Sequence, residues 1–88
     1  MSYPVFDLHC DTAYALLGSD FSAKRNLREN DLHIDLSRAS ALPGYAQCFA
    51  CFTTPMMEEQ YGVSPVVMFE RELATIQREV DKNRDLIA

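Results

Sequence analysis

Three side chains able to do chemistry alternate near the start of the chain: Asp7, His9 and Asp11, within VFDLHCDTAYALL at residues 5–17. An imidazole and a carboxylate are good ligands for a divalent metal such as zinc. Side chains two apart on a β-strand project to the same face, close enough to converge on one ion. Phe6, Leu8 and Cys10 then take one face of a strand over residues 4–10, and Asp7, His9 and Asp11 take the other. Each residue also has an ordinary reading, a satisfied polar histidine or a strand-end cap. H-x-D alone is a weak pattern, and His33 with Asp35 forms a second copy. That copy follows only Leu32, and Asp35 is placed to cap a helix, so it lacks the strand-end setting in which sites are built.

The elements that must position these groups alternate along the chain. Pro4 stands at the edge of the first strand, and TAYALL at residues 12–17 favours a helical turn leading away from it. Residues 18–31 are polar and breaker-rich, which predicts a loop. A short extended piece and a short helix near residues 36–42 follow, with Asp35 as N-cap and Pro43-Gly44 as the stop. YAQCFACFTT, residues 45–54, is a near-continuous apolar run of the kind found in strands buried on both faces. Pro55 ends it, and MMEEQYGV reads as a loop or lid-like segment. Ser64 caps a long helix with Pro65 at its first position. Val66, Phe69, Leu73, Ile76 and Val80 recur at helical spacing and predict its packed face. Glu70, Arg71, Glu72, Arg78, Glu79 and Lys82 are expected on the solvated side.

Strands alternating with helices predict an α/β fold with parallel strands. A two-stranded parallel sheet leaves open edges, which pair with something else. At 88 residues and 48% hydrophobic, the chain has the composition of a globular domain or of part of one. Thirteen acids against eight bases give a net charge of −5, which argues against non-specific binding to nucleic acid or anionic membranes. Neither a secretory leader nor a transmembrane run is visible, so a cytoplasmic protein is expected. Cys10, Cys48 and Cys51 are an odd count in apolar segments, which fits reduced, buried thiols. Cys48 and Cys51 form a lone C-x-x-C, with no second pair to close a zinc site.

VFDLHCDTAYALL resembles the opening of the membrane (renal) dipeptidase family of metallopeptidases, with Asp7, His9 and Asp11 matching its D-x-H-x-D signature. HIDLSRASALPGYAQCFACFTTP is similar to the family segment that leads through Gly into an AQFW-like second strand, where Ala46, Gln47 and Phe49 fall in place. Two departures stand out: Thr12-Ala13-Tyr14 replaces the common Leu-Pro-Trp, and the second strand lacks the usual Trp. The resemblance spans essentially the whole chain. It implies the first two β/α units of a (β/α)8 TIM barrel, with residues 1–88 as the N-terminal part of that single domain. It further implies two zinc ions bridged by a glutamate and a hydroxide, and hydrolysis of a dipeptide substrate. His9 and Asp11 would ligate one zinc, and Asp7 would support them by hydrogen bonding. The remaining ligands and the catalytic groups would lie outside these residues, and the chain alone would be inactive. Two other readings stay open: a freestanding, non-catalytic α/β protein that pairs through its sheet edge, and a metal module completed by a second copy of the chain. Both make a homo-oligomer an expectation.

Overall fold

The structure, a computed structural model, describes residues 3–17 and 25–87. Its elements are β1 (Val5–Cys10), α1 (Thr12–Leu17), α2 (Leu36–Ala39), β2 (Tyr45–Phe49), α3 (Pro55–Tyr61) and α4 (Pro65–Lys82). β1 and β2 form a two-stranded parallel sheet, and with the helices the arrangement is α/β. The ladder pairs Val5 with Tyr45, Phe6 with Ala46 and Asp7 with Gln47, then resumes with Cys10 opposite Phe49. β1 therefore spends three steps where β2 spends two, the signature of a bulge around Leu8 and His9. Val5 N–H donates to the Gly44 carbonyl at 2.8 Å and opens the ladder. A Cβ at Gly44 would meet the Pro4 ring at 3.3 Å, so the close approach there favours glycine.

Local signals set the helix ends. Ser64 is extended and its hydroxyl accepts from Val67 N–H, with Pro65 at the first turn of α4. Asp35 caps α2 in the same way through Arg38 N–H at 2.8 Å. α2 is shorter than expected, its cap being Ser40 rather than the Pro43-Gly44 pair. The expected loop at residues 18–31 lies outside the described residues as far as residue 24, and from Arg25 onward it is irregular chain.

The core is small and lies between helices. Ala13 and Leu16 of α1 pack with Leu27 and Ile76, with Leu36, Phe49 and Val80 at the margin. Leu17 packs on Met68, flanked by Tyr14, Tyr61 and Val63. The sheet gains little cover: Phe6 and Leu8 are 68% and 75% exposed, and among the described residues Cys10 is the only strand residue that is buried.

Four expectations are corrected here. β2 stops at Phe49 and is half-covered rather than buried on both faces, because the helices pack on one another and not across it. MMEEQYGV is helical: α3 begins at Pro55 and closes at Gly62, whose φ of 68° suits a left-handed cap. α4 buries Met68, Glu72, Thr75, Ile76 and Glu79, leaving Val66, Phe69 and Leu73 exposed. At 100° per residue that buried face is rotated roughly 90° from the apolar stripe. Glu72 and Glu79, expected in solvent, are 0% and 2% exposed. Finally, Cys10 is buried but Cys48 is exposed and Cys51 half-buried, so only one thiol belongs to the core.

Candidate functional site

β1 ends at Cys10, and α1 begins two residues later. The Asp11 carbonyl accepts the first helical bond, from Ala15 N–H at 3.1 Å, which fixes its backbone at the strand-to-helix junction. Its carboxylate turns toward His9, and His9 Nε2 lies 3.1 Å from Asp11 Oδ1. Asp7 Oδ1 accepts the His9 backbone N–H at 3.1 Å, so Asp7 braces the bulged main chain rather than the imidazole ring. The His9 and Asp11 side chains are 65% and 58% exposed, open to any ligand arriving from solvent.

The pair lines a cleft of about 530 Å³, together with Asp7, Thr12 and Tyr14 on one side and Asp31 and His33 on the other. The second H-x-D is split by the fold. His33 reaches this cleft, whereas Asp35 is buried and committed to its neighbours. Asp35 accepts from Arg38 N–H and from Asn30 N–H at 3.0 Å, with the Arg38 guanidinium 3.1 Å away. The Arg38 hydrogen bond leads in holding the Asp35 carboxyl down at about 2. Asp31 is ion-paired with Arg25 at 2.7 Å.

The donor set fits a divalent cation in chemistry and spacing. Two ligands about 2.0–2.2 Å from a tetrahedral metal stand roughly 3.3 Å apart, close to the 3.1 Å between His9 Nε2 and Asp11 Oδ1. The same distance also describes an ordinary hydrogen bond between the two. Among the described residues, no three His, Cys, Asp or Glu side chains gather tightly enough to hold a metal between them. The described site is a pair.

One charged neighbour was hidden from sequence reasoning. Glu72 of α4 is fully buried, and among the described residues neither of its oxygens has a hydrogen-bond partner. Desolvation first, and then the negative charge of Asp11, push its carboxyl up to about 7. Its charge in turn helps raise the Cys51 thiol, after burial, and is the smallest of the influences on Tyr14. The Tyr14 phenol is pushed up to about 12, chiefly by its hydrogen bond with Tyr61 at 3.0 Å. Periodicity offered no signal for Glu72, because it sits beside the apolar stripe that the sequence suggested as the packed face.

Comparison with protein-family models, curated proteins and solved structures yields no match. Among the described residues, no helix is long and apolar enough to cross a membrane.

Proposed function

We propose that this chain is the metal-holding opening of a dipeptidase of the membrane dipeptidase type, located in the cytoplasm. On this reading, β1 and β2 are the first two strands of a (β/α)8 barrel. The observation that carries the reading is the His9–Asp11 pair, 3.1 Å apart and solvent-facing at the C-terminal end of a parallel strand. Active sites of parallel α/β folds lie at that end. The resemblance of residues 5–17 and 33–55 to that family adds the reaction class. The open outer edges of the two-stranded sheet are where further barrel strands would add.

In this site His9 and Asp11 would hold one of two zinc ions, and Asp7 would keep the His9 main chain in its bulged position. When bound, zinc supplies Lewis acidity toward a peptide carbonyl and acidifies a water. The cleft walls, Tyr14 and Thr12 on one side and His33 on the other, would receive the dipeptide.

The test is zinc stoichiometry and dipeptidase activity of the product of the whole coding region, beside His9→Ala and Asp11→Ala. The expected result is loss of the bound ion and a fall in activity of about 100-fold or more, as for changes that weaken a metal site. Unchanged zinc content and turnover in His9→Ala would overturn the reading. A second reading, a non-catalytic protein that pairs through its sheet edge, is favoured by the exposed Phe6 and Leu8 of β1. It predicts a dimer in sedimentation that Leu8→Lys dissociates, with no zinc retained.

A further inference from the structure

Two tyrosines join segments that lie far apart along the chain. The Tyr14 hydroxyl of α1 stands 3.0 Å from the Tyr61 hydroxyl at the end of α3, a hydrogen bond that either group can donate. The Tyr14 ring also meets Phe52 edge to face, with centroids 6.2 Å apart and planes at 90°. That is a geometry aromatic pairs prefer. Tyr14 and Tyr61 both pack on the cluster of Leu17 and Met68, and the bond between them is part-buried. Among the described residues, Tyr14 is the one member of that cluster that also lines the cleft with His9 and Asp11. Its side chain therefore belongs to the core and to the cleft wall at once.

A tyrosine ring has two side-chain torsions to settle. Here the Leu17–Met68 cluster, the Phe52 edge and the Tyr61 hydroxyl hold them. Phe52 precedes α3 and Tyr61 closes it, so two of the three grips come from the segment between β2 and α4. We propose that Tyr61 is a positioning residue for the cleft, fixing through its bond to Tyr14 the wall against which a dipeptide rests. This inference rests on the reading of the cleft as a dipeptide site. Tyr61 itself is not among the residues that line the cleft, so it acts on the substrate only through Tyr14. Without that bond the Tyr14 side chain loses its hold at the hydroxyl end, and the wall must be ordered afresh each time substrate binds. Such a loss falls on binding and not on the bond-breaking step, so it raises KM and leaves kcat in place.

The test uses the product of the whole coding region, with glycyl-leucine as probe and with KM, kcat and zinc content measured separately. Tyr61→Phe keeps the ring in the cluster and removes the hydroxyl, while Tyr14→Phe removes the bond from its other end. Tyr61→Phe is expected to raise KM by about threefold to tenfold, the span of one neutral hydrogen bond, with kcat and zinc content unchanged. Adding Tyr61→Phe to Tyr14→Phe should raise KM no further, because the bond is already gone. An unchanged KM in Tyr61→Phe, whatever its melting midpoint, would overturn this inference. So would a double variant whose KM rises by the product of the two single effects. In either case, activity that His9→Ala abolishes would leave the dipeptidase reading standing. Turnover that His9→Ala leaves unchanged would overturn both.

Discussion

Two glutamates seven residues apart share the buried face of α4, and the fold treats them in opposite ways. Glu79 is held on every side. Its Oε1 accepts the buried Leu27 N–H at 2.7 Å, and Lys82 Nζ approaches Oε2 at 3.3 Å. Asn83, one turn on, donates to the Glu79 carbonyl and accepts from Arg28, whose guanidinium also pairs with Asp85 at 2.9 Å. This end of α4 is a polar clamp on the segment after Arg25, and burial there is matched by partners. Glu72, two turns earlier, has the burial and, among the described residues, no partners. Equal burial of the same residue type therefore marks a structural brace in one place and an unsatisfied acid in the other. The difference lies in satisfaction, not in depth.

The contrast can be broken most severely at Glu79. Glu79→Leu strands the buried Leu27 N–H and releases the clamp, and the unfolding midpoint in urea should fall by the equivalent of about 2–4 kcal/mol. Glu72→Met should move the other way, raising stability at pH 8 by about 1–3 kcal/mol, since an apolar side chain suits the seam better than an unpartnered carboxyl. A destabilised Glu72→Met protein would mean that the carboxyl has partners after all.

Asp35 is a third test, a buried carboxylate on the satisfied side of the comparison. Asp35→Ala removes the α2 cap and the Asn30 contact and should cost about 1–2 kcal/mol in thermal or urea melts. The two kinds of acid also leave opposite marks on pH dependence. Asp35 titrates at about 2 in the fold against an ordinary 3.8, so its contribution is complete above pH 3.8 and disappears as pH falls toward 2. Glu72 titrates at about 7 against 4.5. Its contribution is complete below pH 4.5 and is lost as pH rises to about 7. Melts across pH 4 to 8 should therefore show a declining limb that flattens in Glu72→Gln. The smallest effect belongs to the solvent-screened Arg25–Asp31 pair, where Arg25→Ala should leave the melting midpoint unmoved.

What could be read in the sequence was whatever neighbours along the chain decide. The Ser64 and Asp35 caps, the turn of helix after Asp11 and the first strand all follow from residues within four positions of one another. α3 carried the same sort of signal, Pro55 at its start and Gly62 at its end, but in the sequence Pro55 reads as the end of the strand before it and the residues after it as a loop. The buried face of α4 was not legible. A stripe of Val66, Phe69 and Leu73 states only that an apolar face exists, whereas α1 and Leu27 decide which face is covered. Glu72 followed from that error. The His9–Asp11 pair was visible as spacing, but the brace from Asp7 to the His9 main chain was not, because a bulge is a property of two strands together.

That bulge also says how the pair is encoded. With Asp7 opposite Gln47 and Cys10 opposite Phe49, one residue of β1 is surplus to the ladder. A gene lacking the codon for Leu8 would produce a more regular sheet, with His9 opposite Cys48 and turned to the face away from Asp7. Such a deletion would regularise the hydrogen bonding and part the His9 main chain from the Asp7 brace, while His9 and Asp11 would keep their two-residue spacing. Leu8 itself is largely in solvent, and its side chain takes no part in the contacts among Asp7, His9 and Asp11. The count of residues in this stretch, as well as their identity, therefore matters to the position of His9.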